Sequence, residues 1–168
     1  IYSLIFWGLL NYESKFKLNF SMPTILMLCL IILIIIQIIW GAFTSGLNAG
    51  LLYQTWPFMN EKFIADDIII KNVLSFELLS NPSYVQFMHR MLAYFIIFYT
   101  VLVYFFYFRK ITYSKPFKLI FVAIFIQVLL GIFTLISGLN IYLASFHQIG
   151  SILLISSAIY TLFYVNNY

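Results

Sequence analysis

Long apolar runs separated by short polar breaks fill this chain, and four of them can each cross a ~30 Å hydrocarbon core at ~1.5 Å of rise per helical residue. They extend roughly from Met22 to Thr44, Tyr84 to Phe108, Phe117 to Ser137 and Ile141 to Val165. Backbone polar groups in lipid must be satisfied within their own segment, so runs of this kind predict helices. The expected fold class is all-α, a polytopic membrane protein with a four-transmembrane-helix bundle. A shorter stretch, "IYSLIFWGLL", opens the chain and reads as the tail of a preceding span, too short to cross alone. The expected organisation is that tail plus an inner linker over 1–20, then a four-helix unit over 21–168 with a long outer loop at 45–83. A chain so arranged is expected to be a fragment, or one half of a longer protein.

Composition narrows the class further. The chain is 64% hydrophobic and only 8% charged, with a mean hydropathy of +1.01, which removes a soluble domain from consideration. Its formal net charge of +4 is spread through connecting segments, so membrane lipid is an expected partner and nucleic acid is not. Cytoplasmic loops attract Lys and Arg, and Lys15, Lys17, Arg109, Lys110, Lys115 and Lys118 all fall on one side of the four-span plan. That side is expected to face the cytoplasm or matrix. The 45–83 connection then lies outside, where Lys62 and Lys71 are outweighed by Glu61, Asp66, Asp67 and Glu77. It is long for a helical bundle, carries Trp56 and Pro57, and is expected to cover the outer mouth as a lid or to lie at the interface. The acids of "DDIII" read as solvated loop charge. The single cysteine, Cys29, stands mid-run, where it reads as packing and leaves no partner for an internal disulfide.

An internal repeat adds chemistry. "QIIWGAFTSGLN", Gln37 to Asn48, is echoed by "QVLLGIFTLISGLN", Gln127 to Asn140; each has Gln, Gly four residues later, Phe-Thr, and a final Gly-Leu-Asn. The second copy has two extra residues before that last triplet. Each copy ends an outward-going helix, and each returning helix carries a histidine near its start: His89 five residues past Tyr84, His147 six past Ile141. They are the only two histidines in the chain. Repeats of this kind point to symmetry-related units with a site between them.

An ionisable residue within a span is a functional hypothesis by default, although a histidine can also do no more than hydrogen-bond a neighbouring helix. Zinc would call for three or four protein ligands, and no carboxylate or thiolate lies at this depth. Heme iron needs only two axial imidazoles on facing helices, which His89 and His147 could supply. Around them, Gln86 lies three residues before His89 and Ala93 four after; Gly150 and Ser151 lie three and four after His147. Small residues beside a ligand leave room for a flat macrocycle. Arg90 has two readings, a bidentate partner for a heme propionate or a side chain snorkelling to lipid headgroups. Gly41 and Gly131 read as permitting close helix packing, with cofactor clearance as the alternative.

The stretches "GAFTSGLNAGLLYQTWPFMN", "NPSYVQFMHRMLAY" and "QVLLGIFTLISGLNIYLASFHQIGSILL" together resemble the C-terminal half of the heme A synthase family, membrane enzymes of cytochrome oxidase assembly. The resemblance runs from about Ile31 onward. It is carried by Gly-Leu-x-Ala-Gly with the following Thr-x-Pro, by Gln-Phe-x-His-Arg, and by Leu-Ala-x-x-His-Gln, in that order. It implies two pseudo-symmetric four-helix halves and an oxidoreductase that converts the C8 methyl of heme O to the formyl of heme A. For this chain it implies that His89 and His147 are axial ligands of a heme b, with iron as the metal they hold. It also implies heme O as substrate, the missing N-terminal half as partner, heme O synthase and an electron acceptor as further candidate partners, and a bacterial cytoplasmic or mitochondrial inner membrane as location.

The chain departs from the family at one telling place. The family's N-terminal half carries Glu-x-x-His, with an acid tied to the reaction; the matching residue here is Gln86. An amide cannot act as a carboxylate base, so this half is expected to hold heme while substrate is oxidised in the other. The rival readings are a b-type cytochrome that only transfers electrons and a structural protein whose histidines only join helices. Transport is less attractive, because beyond the His89/Arg90 pair and His147 the spans offer no charged path.

Overall fold

The computed structural model describes residues 1–12, 19–68, 76–109 and 111–167, with backbone alone at 76–77 and 111–114. Lys15, Lys17, Lys71 and Lys110 therefore lie outside the described residues. Five helices follow one another: α1 (Tyr2–Leu10), α2 (Met22–Gly46), α3 (Pro82–Val103), α4 (Ile111–Ile136) and α5 (Ile141–Asn167). A wider π-helical turn, Tyr104–Phe108, extends α3 at its inner end. Four of these segments are long and apolar enough to cross a membrane: Met22–Gly46, Pro82–Phe108, Lys115–Ile136 and Ile141–Asn167. The all-α, four-span expectation holds, and no strand occurs among the described residues.

Local chemistry sets the helix starts. Pro23 stands in the first turn of α2, where a missing N–H costs nothing. At α3, Pro82 follows Asn81, whose side chain accepts from the Tyr84 N–H at 3.1 Å. Asn140 caps α5 in the same way, accepting from the N–H groups of Tyr142 at 3.0 Å and Leu143 at 3.4 Å. The two copies of Gly-Leu-Asn end their helices differently. In the first, Asn48 alone takes a left-handed backbone (φ 50°); in the second, Gly138 and Leu139 both do (φ 69° and 61°). Leu139 then lies against Gly50, whose Cβ, if present, would come within 2.7 Å of it. The outer turns of the two repeats thus touch, and Gly50 is what lets them.

The bundle packs α2 against α3 and α5, and α4 against α5, while α3 and α4 meet only lightly and α1 lies along α5. The Tyr2 hydroxyl lies 2.6 Å from that of Ser156, and Trp7 meets Phe163 edge-on. The apolar core occupies one half of the bundle's length. Its members are Met27, Leu30 and Ile34 on α2, Ile96 and Val103 on α3, Phe117, Ile120 and Ile124 on α4, and Leu154 to Val165 on α5. At the inner end Phe108 and Phe117 stack with ring centroids 4.6 Å apart. Lipid tails are as apolar as these side chains, so close packing of this kind holds the helices together. The outer halves are built differently. From Ile35 to Gly46, Phe125 to Ile136 and Ile141 to Leu153 no large apolar side chain is buried, and on α3 before Ile96 only Val85 is.

Candidate heme site

Both histidines fall in that outer half. His89 is seven residues past the start of α3 and His147 six past the start of α5, which sets both roughly 10 Å inward at ~1.5 Å per residue. On the opposing helices, Gly41 and Gly131 each stand five residues before the helix end, and Gln37 and Gln127 nine before it. The sequence repeat is therefore a repeat in space. Helix α3 carries its histidine against α2, and α5 carries its histidine against α4.

The seating of the two rings matches. A Cβ on Gly41 would lie 3.2 Å from His89 Cε1, and one on Gly131 would lie 3.1 Å from His147 Cε1. The glycines expected to permit close helix packing thus permit the close approach of an imidazole. The Gln37 amide reaches over His89, with Nε2 3.2 Å from Nδ1 and donating to the His89 main-chain oxygen at 3.0 Å. Gln127 does not copy this; its amide packs against Gly150, where any Cβ would collide with it.

Gln86 and Arg90, one turn apart on α3, are buried at 2% and 9% exposure and point to the outer loop. Gln86 Nε2 and Arg90 Nη2 each donate to the Tyr53 carbonyl at 2.9 Å, and Arg90 Nη1 donates to the Phe58 carbonyl at 3.2 Å. Arg90 is thus neither at a lipid headgroup nor free in water: it holds the loop, with further N–H donors left on its guanidinium. Ala93 follows one turn inward of His89 and is partly buried, and Ser151 bonds its own helix at the Gln148 carbonyl.

The loop has a second attachment that the sequence did not single out. Asp66 is solvated charge, paired with exposed Lys62 at 2.6 Å. Asp67 is not: it accepts from the Tyr53 hydroxyl at 2.8 Å and from the Ser83 hydroxyl at the start of α3. Burial works against its charge, yet the two hydroxyls outweigh that and hold the carboxyl below the usual carboxylate range. Burial pushes the Tyr53 hydroxyl above its ordinary value, and its bond to Asp67 adds to the effect. "DDIII" offered no signal for the split, since the partners arrive from 14 and 16 residues away.

Whether these residues suit a porphyrin can be asked of their polar atoms. Buried groups are nearly always hydrogen-bonded, yet Gln37 Oε1, Gln86 Oε1, Tyr94 Oη, Gln127 Nε2 and His147 Nδ1 have no partner among the described residues. All five belong to residues on the outer halves of the four spans, the stretches that carry the two imidazoles. A region with two imidazoles, unspent polar atoms and almost no apolar core fits a flat ligand held by its metal. Among the described residues no three His, Cys, Asp or Glu side chains gather as they would for zinc. A groove of about 410 Å³ runs along α2, lined by Ile39, Ala42, Phe43, Gly46 and Leu47, and includes neither histidine.

The cytochrome oxidase assembly protein family, COX15-CtaA, matches residues 1–159. The heme A synthase of Pelagibacter ubique is 44% identical over 158 residues, covering 94% of this chain and 47% of that protein. That of Wolbachia pipientis subsp. Culex pipiens is 34% identical over 99% of this chain and 50% of its own length; that of Rickettsia rickettsii (strain Sheila Smith) is 32% identical over 100% and 52%. The chain spans about half the length of these curated relatives. No solved structure matches it. With a family match across most of its length and relatives above 30% identity along nearly all of it, the chain belongs to the heme A synthase family of cytochrome oxidase assembly proteins.

Proposed function

We propose that this chain is the heme-holding half of a heme A synthase, in which His89 and His147 are the axial ligands of a heme b. The observation that carries the reading is the pair of matched imidazoles in the outer half of a bundle whose apolar core is confined to the inner half. Heme iron held by two imidazoles has no open coordination position and supplies electron transfer rather than oxygen activation. The chain's own residues do the rest. Helices α3 and α5 bring in one imidazole each, the inner core fixes their spacing, and the loop pinned by Gln86 and Arg90 covers the outer side. Arg90 would turn spare donors toward a propionate. The Gln86 amide cannot accept a proton as a carboxylate base would, so the oxidation of the heme O methyl to a formyl group is assigned to a second half, with the electrons passed to an acceptor. Heme O synthase is the proposed source of that substrate. The membrane is the bacterial cytoplasmic or mitochondrial inner membrane.

The test is an oxidised and dithionite-reduced absorption spectrum of the purified protein, with pyridine hemochrome extraction to identify the porphyrin. A low-spin heme b spectrum is expected, lost in His89→Ala and in His147→Ala. Low-spin heme surviving in the double variant would overturn the ligand assignment.

A further inference from the structure

We propose that the outer loop is seated in the membrane surface, with Trp56 and Phe58 at its tip and Leu51 and Leu52 at its root lying among lipid headgroups and the first acyl carbons. The proposal does not depend on the heme reading. It starts from a mismatch: these four large apolar side chains are half exposed, and no charged residue stands among them from Leu51 to Phe58. An apolar patch of this kind marks a surface that meets something other than water. A bilayer surface suits it, because the indole of Trp is apolar in body with one polar N–H and gathers at the membrane–water boundary.

Hydrogen bonds fix the depth. The Tyr53 carbonyl accepts from Gln86 and Arg90, and the Phe58 carbonyl from Arg90. Gln86 and Arg90 stand four and eight residues past the start of α3, roughly 6 and 12 Å along the helix at ~1.5 Å per residue. Side chains lean toward the helix N-terminus, so these bonds fall beside the first two turns of a spanning helix and not out beyond it. At the loop's root Gly50 packs against Leu139, in the turn between α4 and α5, which sets Leu51 and Leu52 level with the span ends. The headgroup layer is about 5–7 Å deep on each side of the hydrocarbon, and it begins at that level.

The tip is built for such surroundings. Backbone groups close to hydrocarbon need partners within the protein. The Thr55 hydroxyl donates to the Phe58 carbonyl at 2.8 Å and accepts from the Asn60 N–H at 2.7 Å, while the Trp56 and Phe58 side chains stay half exposed. The surface is also continuous with that of the span. Ile39 and Phe43 are exposed on the outer end of α2, and the groove they help to line ends at Leu47, with no charged residue from there to Leu51. Charge begins only past the tip, at exposed Glu61 and Lys62. A loop held by Arg90 on one side and by lipid on the other opens only when its tip leaves the bilayer, so its closure over the outer mouth depends on the membrane.

Nitroxide labels at Trp56→Cys, Phe58→Cys and Glu61→Cys test this, each as the only cysteine, which here requires Cys29→Ser, in protein of natural length reconstituted into phosphatidylcholine bilayers. Oxygen concentrates in lipid and a nickel chelate in water, so the ratio of their collision rates with a label reports its surroundings. That ratio should be severalfold higher at positions 56 and 58 than at 61. Equal ratios at all three would put the tip in water and overturn the proposal. Labels at 56 and 58 shielded from both reagents would mean that protein covers the tip, and would overturn it as well. A measurement on the wild type covers the case of a label that disturbs the loop: a phospholipid carrying a photoreactive diazirine near its headgroup should cross-link to the 51–58 segment. Adducts on the spans with none on that segment would sink the proposal.

Discussion

Two neighbouring aspartates, Asp66 and Asp67, have different jobs, and the difference is testable by pH. Because Asp67 is held below the ordinary value of 3.8 by the hydroxyls of Ser83 and Tyr53, its contribution is fully present above that value and is lost as pH falls through the lower folded value. The protection of amides across residues 53–60, their exchange relative to the intrinsic rate at each pH, is therefore expected to stay flat from neutral pH down to about 4 and to fall below it. Asp67→Asn should show the faster exchange already at neutral pH, by the severalfold that losing about 1 kcal/mol of hydrogen bonding gives, while Asp66→Asn should change nothing. Equal behaviour of the two variants would remove the tie. Arg90→Gln should likewise free the loop, because an amide cannot span both the Tyr53 and Phe58 carbonyls. The histidine pair was legible from sequence because ionisable residues are conspicuous in apolar runs. Arg90's bonds to the loop were not, since a carbonyl acceptor has no residue type to read.

The helices were legible where length and hydropathy define them and less so where backbone chemistry does. The spans expected from Met22 and Ile141 begin at those residues in the structure, each behind a polar residue. Helix α4 starts at Ile111, well before the expected Phe117, since its first turns are polar and include Pro116. The fully buried Thr161 hydroxyl of α5 shares its one proton between the Ser157 carbonyl of its own helix at 2.7 Å and the Pro116 carbonyl at 3.1 Å, joining the two helices. The two extra residues in the second repeat were visible as an insertion, but their left-handed backbone and the contact of Leu139 with Gly50 depend on tertiary packing. That turn matters because it launches the helix carrying His147. Asn140→Ala removes the acceptor for two N–H groups at the start of α5 and should lower stability by about 1 kcal/mol, read as reduced resistance to thermal unfolding in detergent. Asn140→Asp, which keeps the acceptor, should restore it.

At the scale of the whole molecule, one end of the bundle is a tight apolar core and the other a polar-lined site under a pinned loop, and this asymmetry should follow the membrane's own. The described cations outside the spans' centres agree. Arg109, Lys115 and Lys118 gather at the inner end, where nothing described neutralises them, whereas Lys62 on the outer loop is paired with Asp66 at 2.6 Å. Translocation is opposed by unpaired Lys and Arg near span ends far more than by Asp or Glu, so the prediction is that the inner end is retained on the cytoplasmic or matrix side. A single cysteine at Asn60, an exposed loop position with a left-handed backbone (φ 59°), tests this in a Cys29→Ser background. A membrane-impermeant maleimide should label it from the outer face of intact cells or vesicles, and a cysteine at Lys118 only after permeabilisation. The reverse pattern would place the imidazoles nearer the cytoplasmic or matrix surface and would require any electron acceptor on the proposed route to approach from that side.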